Sequence, residues 1–171
     1  RLCADVGTVV DGRTIDDDAN LLVRYENGAR GVLYCSQISV GEENDLRLRV
    51  YGTQAALDWR QEDPHYLIVK RNGAPRAVYT HGNDYLSAAA QHNTRIPAGH
   101  PEAFIEAFAN TYANACRTMA ARIAGDTPDP LNLDFPTVQD GAIGVHFIET
   151  ALASGEQDAA WVDATYTPPA G

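Results

Sequence analysis

Apolar and polar residues alternate with period two through the first eighty residues, and recur at steps of three and four beyond Gly99. Arg1-Leu2-Cys3-Ala4-Asp5-Val6 opens in strand-like sequence. Leu21-Leu22-Val23-Arg24-Tyr25 and Val32-Leu33-Tyr34-Cys35-Ser36-Gln37-Ile38 flank Asn27-Gly28, a pair that tolerates the positive φ of a tight hairpin turn. Leu46, Leu48 and Val50 alternate with Arg47, Arg49 and Tyr51; Gly52-Thr53 breaks the run, which resumes over Ala55-Ala56-Leu57-Asp58-Trp59-Arg60. A second Asn-Gly pair, Asn72-Gly73, joins Tyr66-Leu67-Ile68-Val69-Lys70 to Ala77-Val78-Tyr79. Hairpin after hairpin predicts an antiparallel meander.

From Gly99 the period becomes helical. Pro101 suits a first helical turn, and Glu102 would face the positive end of the helix dipole. Ile105, Phe108, Tyr112, Cys116, Met119 and Ile123 form one apolar stripe, with Arg122 in the last turn and Gly125 as the stop. Thr137-Val138-Gln139-Asp140 has capping-box spacing and starts a second helix. That helix carries the stripe Val138, Gly141, Val145, Ile148 and Leu152, and Ser154-Gly155 ends it. Trp161-Val162 has the character of a last strand, and 165–171 that of a frayed tail. The predicted fold is therefore α+β over 1–164: an open, mostly antiparallel sheet with helices on one face. Six or more strands would make a sheet roughly 25–30 Å wide. Its uncovered face is too apolar for water and is available for oligomerisation.

Composition narrows the partners. The formal net charge of −10 opposes nucleic acid, which needs a basic stripe, and opposes an anionic membrane surface. No apolar run approaches the roughly 20 residues of a membrane helix. Cys3, Cys35 and Cys116 are too scattered for a disulfide framework or a ligand cluster, which predicts buried free thiols and a cytoplasmic setting. Asp16-Asp17-Asp18 lacks the spacing of a calcium loop and is expected to be a solvated turn.

The familiar local engines of catalysis do not occur. There is no Gly-x-Gly-x-x-Gly, phosphate loop, His-Glu-x-x-His or Gly-x-Ser-x-Gly. His81 and His92 share the loop-like stretch 80–97, but no Cys or carboxylate stands at ligand spacing, so no metal is expected. His146 falls beside an apolar stripe and is expected to pack. His100 differs, since it precedes Pro101 at a helix mouth with Arg95 close in sequence, where unpaired N–H groups could hold a polar ligand.

Gly99-His100-Pro101-Glu102-Ala103-Phe104-Ile105-Glu106-Ala107-Phe108-Ala109-Asn110-Thr111-Tyr112 resembles a signature of one branch of the Gfo/Idh/MocA oxidoreductases, the family of glucose–fructose oxidoreductase and inositol dehydrogenase. Asp134-Phe135-Pro136-Thr137-Val138-x-Asp140-Gly141 with Phe147-Ile148-Glu149, Leu57-Asp58-Trp59-x-Gln61-Glu62-x-Pro64, and Gly82-x-x-Tyr85-Leu86 resemble three further stretches. The resemblance implies a two-domain parent whose N-terminal Rossmann domain binds NAD or NADP and supplies a catalytic lysine from a Glu-Lys-Pro segment. Neither that segment nor a cofactor-binding residue is found, and the chain has one lysine, Lys70. By resemblance, the chain is the substrate and oligomerisation half of a dehydrogenase acting on a sugar, polyol or related cyclic alcohol. It would be inactive alone and carry no catalytic base. The candidate substrate-binding residues are His100, Arg95, Tyr85 and Asn110. A non-catalytic, sheet-mediated dimerisation or binding module is the alternative.

Overall fold

A computed structural model describes residues 1–168. The chain divides into two compact units, one of Arg1–Gly41 with Pro136–Gly171 and one of Glu42–Phe135.

In the first unit, β1 (Leu2–Gly7), β2 (Asp18–Arg24) and β3 (Arg30–Ser36) form an antiparallel sheet in sequential order. Gly28, at φ 86°, makes the β2–β3 turn that Asn27-Gly28 predicts. Helix α3 (Val138–Gly155) packs on β1. Leu2, Ala4, Leu21 and Ala151 are buried together, with Val6, Val23 and Phe147 half-buried around them. Val162 pairs with Leu2 as an isolated bridge, the remnant of the expected last strand. The predicted cap of α3 holds: the Thr137 N–H donates to Asp140 Oδ2 at 2.8 Å, and the Asp140 N–H to Thr137 Oγ1 at 3.3 Å.

In the second unit, β4 (Arg47–Tyr51), β5 (Ala55–Arg60), β6 (Tyr66–Arg71) and β7 (Ala77–Thr80) form another sequential antiparallel sheet. A short α1 (Ala88–His92) precedes α2 (Phe104–Ala124), which packs against a 3-10 turn at Pro130–Leu133. Gly125, at φ 82°, closes α2 as expected.

The α+β class with antiparallel meanders thus stands, but the strands divide into sheets of three and four instead of one broad sheet. The break is the segment 37–46, where Gly41-Glu42-Glu43-Asn44-Asp45 interrupts the alternation. Helix α2 begins at Phe104 rather than Pro101, because the carboxylate of Glu106 accepts the Ala103 N–H at 2.9 Å and fixes the first turn there. No helix among the described residues is long and apolar enough to cross a membrane.

Three expectations about burial are corrected. The predicted stripes are not the packed faces: Ile105, Tyr112, Ile123, Val138 and Ile148 are all exposed. Helix α2 instead buries Asn114 and Thr118, and α3 buries Thr150, Ala151 and Ser154. Small side chains let the backbones approach, and hydrogen bonds complete the contact. Ser154 Oγ accepts the Ala4 N–H at 2.8 Å and donates to the Ala160 carbonyl at 2.7 Å. A Cβ on Gly155 would lie 3.2 Å from Val6 Cβ. Asp17 is buried rather than solvated, since its carboxylate accepts the Val9 and Val10 N–H groups at 2.7 and 3.1 Å and pairs with Arg13 at 3.2 Å. Cys35 and Cys116 are exposed and Cys3 half-buried, because Cys35 lies on edge strand β3 and Cys116 on the open stripe of α2. Of the expected tail, 169–171 lie outside the described residues.

Candidate functional site

The candidate residues cluster where the β7–α1 loop and the segment 93–103 meet the first turns of α2, all within the second unit. Gly82 permits the closest approach there. Its φ is 74°, and an added Cβ would lie 2.7 Å from Ala98 N, so the β7–α1 loop passes directly against the segment leading to α2.

Glu102 organises that segment. With its side chain 9% exposed, its carboxylate accepts the Arg95 N–H at 2.8 and 3.0 Å and the Ile96 N–H at 3.0 Å. The glutamate expected to face a helix dipole therefore folds back to cap a loop. Held in this way, the Arg95 guanidinium donates through Nε to Asn110 Oδ1 at 2.6 Å, and the Asn110 amide donates to the Asn93 carbonyl. One turn further along α2, Asn114 donates to Asn93 Oδ1 at 3.0 Å and accepts from His92 Nε2 at 3.1 Å. A ladder of asparagines thus ties the end of α1 to α2, and Arg95 sits at its outer rung.

One cavity borders this ladder, and a second shares His81 with the first. The first, about 350 Å³, has the rings of Trp59, Pro64 and Phe104 among its walls and Gln61, Glu102 and Asn110 among its polar residues. Trp59 Nε1 donates to the Pro64 carbonyl at 3.1 Å, which locks the indole. The second, also about 350 Å³, lies among His65, Tyr66, Thr80, His100 and Pro101. His81 lines both. Its Nε2–H donates to the His100 carbonyl at 2.9 Å, while Nδ1 stands 3.9 Å from Glu102 Oε2.

The structure therefore brings Arg95 and Asn110 together, with Asn110 on the first cavity. His100 is exposed on the second, its Nδ1 turned to the Pro97 carbonyl at 3.2 Å. Tyr85 lines neither as a wall. Its hydroxyl is committed to Thr80, accepting the Thr80 N–H at 3.0 Å and lying 2.9 Å from Oγ1, and these bonds hold the phenol below its ordinary pKa. Trp59, Gln61, His81 and Glu102 are the residues that sequence reasoning missed. Trp59, Gln61 and Glu102 lie inside the motifs quoted above, so the signal existed. What it lacked was the loop geometry that turns them inward.

The N-termini of the two long helices do not suit a dinucleotide. Glu106 occupies that of α2 and Asp140 that of α3, and each carboxylate is held below its ordinary pKa, first by the Ala103 N–H and first by the Thr137 hydroxyl respectively. A diphosphate would meet negative charge at both.

Comparison with known proteins gives the context. Residues 1–58 match the family model of the GFO/IDH/MocA C-terminal domain. An uncharacterized oxidoreductase, YfiI, of Bacillus subtilis (strain 168) is 30% identical over 162 residues, which is 95% of this chain and 41% of that protein. An oxidoreductase from Sinorhizobium meliloti is 40% identical with a TM-score of 0.87, over 95% of this chain and 46% of its own. An inositol dehydrogenase homolog from Azotobacter vinelandii, solved with NADH and myo-inositol, is 33% identical with a TM-score of 0.88, over 95% of this chain and 43% of its own. The chain spans less than half the length of each of these relatives. It belongs to the Gfo/Idh/MocA family of oxidoreductases, matched through their C-terminal domain.

Proposed function

We propose that this chain is the substrate-side and oligomer-forming half of an NAD- or NADP-dependent oxidoreductase that acts on a sugar, polyol or related cyclic alcohol. One observation carries the reading: 95% of the chain follows, at a TM-score of 0.88, part of an inositol dehydrogenase homolog solved with NADH and myo-inositol. The carboxylates at the starts of α2 and α3 oppose a diphosphate at either helix, which supports assigning the cofactor to the remaining part of the full-length protein. The chain alone turns over nothing.

Within that enzyme, Arg95 and Asn110 donate hydrogen bonds to substrate hydroxyls from the first cavity's edge, and Glu102 keeps the arginine in place. His100 meets the substrate from the second cavity, whose shape Tyr85 maintains through Thr80. The helix-free face of the first sheet, with Leu22, Val32 and Tyr34 exposed by 48, 82 and 59%, is the oligomer contact. The second unit's four-stranded sheet leaves Leu48 and Val50 similarly open.

The test is steady-state oxidation of cyclic polyols and aldoses by the full-length protein with NAD or NADP. Arg95→Ala and Asn110→Ala should each lower kcat/KM by about ten- to a hundredfold, the loss expected when a bound hydroxyl loses its partner. Cofactor-dependent turnover that both variants retain in full would remove these residues from the site. No turnover with any such alcohol would overturn the reading.

A further inference from the structure

The two Asn-Gly pairs sit in turns of different kinds, and both are followed by alanine. In the β2–β3 connection the Gly28 N–H donates to the Tyr25 carbonyl at 3.1 Å, and Asn27 Oδ1 accepts the Ala29 N–H at 3.0 Å. Asn27 is therefore the third residue of a turn over 25–28, and Gly28 is its closing donor. Glycine nitrogen and asparagine side chain are both engaged. In the β6–β7 connection the closing bond belongs to Ala74, whose N–H donates to the Arg71 carbonyl at 3.4 Å. Asn72 and Gly73 are then the central pair, with Gly73 at φ 68° in the third position, as a type II turn requires. The peptide between two central residues closes no turn bond. Its N–H, that of Gly73, donates to no described residue, and the Asn72 side chain bonds to none. Asn72 and Gly73 are exposed, and a Cβ on Gly73 would meet nothing within 4 Å.

Asparagine before glycine carries its own electrophile and nucleophile. The next peptide nitrogen adds to the side-chain carbonyl carbon when no hydrogen bond holds it and no Cβ shields it. At the β6–β7 turn the Gly73 nitrogen gives up its proton and bonds to Asn72 Cγ. The Cγ–Nδ2 bond breaks, and the amide leaves as ammonia. Water then opens the resulting five-membered imide. Hydrolysis at Cγ gives an ordinary aspartate; hydrolysis at the main-chain carbonyl gives isoaspartate, with the backbone rerouted through Cβ and Cγ. Nothing is oxidised or reduced, and water is the only co-reactant. At Asn27 the same attack must first break the Gly28–Tyr25 bond and release Oδ1 from the Ala29 N–H.

We infer that Asn72 is a self-modification site, converting through a cyclic imide to aspartate and isoaspartate, while the turn around Asn27 protects the same dipeptide there. The product places a carboxylate on the β6–β7 hairpin, directly after Arg71 and four residues before Arg76. This chemistry needs neither the cofactor nor a substrate, so it stands apart from the function proposed above.

The experiment is incubation of the full-length protein at mildly alkaline pH and physiological temperature, native and in unfolding urea. Chymotryptic peptides are then mapped by mass spectrometry, and isoaspartate is labelled with an isoaspartyl methyltransferase. In the native protein Asn72 should convert at least about tenfold faster than Asn27, the worth of one or two hydrogen bonds. In urea, where both turns are lost, the two rates should converge. Asn72→Gln should abolish the native isoaspartate signal at that position and leave the Asn27 rate unchanged. Native conversion of Asn27 as fast as that of Asn72, a rate ratio that urea leaves unaltered, or an Asn72 that converts in urea and survives native incubation would each overturn the inference.

Discussion

Single polar residues hold the packed faces of this chain. Ser154 is fully buried and serves both Ala4 and Ala160, joining α3 to β1 and to the segment that returns beneath it. Ser154→Ala removes only a hydroxyl oxygen, yet strands the buried Ala4 N–H and takes the donor from the half-buried Ala160 carbonyl. The expected loss is about 1–3 kcal/mol, read from urea denaturation, because an unmade buried hydrogen bond costs its desolvation. Thr118 and Asn114 play the corresponding part for α2, Thr118 donating to the Asn132 carbonyl at 2.9 Å. Glu102 is the same kind of residue in a loop. Its identity was visible within a recognisable motif, but its task was not, because a carboxylate before a helix can cap either the helix or the chain that precedes it.

At the scale of elements, alternation and turn chemistry were enough to locate the seven strands of the described residues, the capping box enough to start α3, and Gly125 enough to end α2, whereas the start read at Pro101 falls three residues early. Asn27-Gly28 and Asn72-Gly73 fall at turns with φ of 86° and 68° at their glycines, as the hairpin argument requires. The docking faces of the helices were not legible. An apolar stripe announces that something covers it, without saying whether the cover lies within the chain, and here the chain covers the row Asn110, Asn114 and Thr118 instead. Helix α1 has five residues, too few to show a period. In the four-stranded sheet one charged cluster crosses three strands. Arg47 on β4 grips Asp58 on β5 through Nε at 2.9 Å and Nη2 at 2.7 Å, and Lys70 on β6 reaches the same carboxylate at 2.6 Å. These bonds, Arg47 first, hold Asp58 well below the ordinary carboxylate range although it is buried. A depressed folded-state pKa contributes stability above the unfolded value and loses it as pH falls toward the folded one. Thermal unfolding should therefore show Tm falling steeply below about pH 4, where an unfolded Asp begins to protonate. Asp58→Asn should melt several degrees lower at pH 7 and show a shallower acid slope. An unchanged slope would mean that the cluster does not couple to folding.

For the whole molecule, the decisive fact is how little apolar surface this chain conceals by itself. Among the described residues, Leu2, Ala4, Leu21, Val69 and Ala151 are the buried apolar side chains. A protein of this size ordinarily buries about 70% of the surface its unfolded chain exposes. Meanwhile Val32, Ile105, Ile123 and Val138 are at least 78% exposed. Such residues gain roughly 1.5–3 kcal/mol each on burial, which favours the view that the other half of a two-domain enzyme and further copies complete the core. Composition and charge argued against nucleic acid and anionic membrane as partners, whereas the particular surfaces needed coordinates. The central claim is that the Trp59 cavity and the Arg95–Asn110 pair meet the substrate of a cofactor-dependent enzyme. A crystal structure of the full-length protein with NAD and a polyol that it oxidises tests this most directly. The account expects polyol hydroxyls within about 3.2 Å of Asn110 and Arg95, with the ring against Trp59. A polyol bound beside the cofactor and out of contact with all of these residues would contradict it.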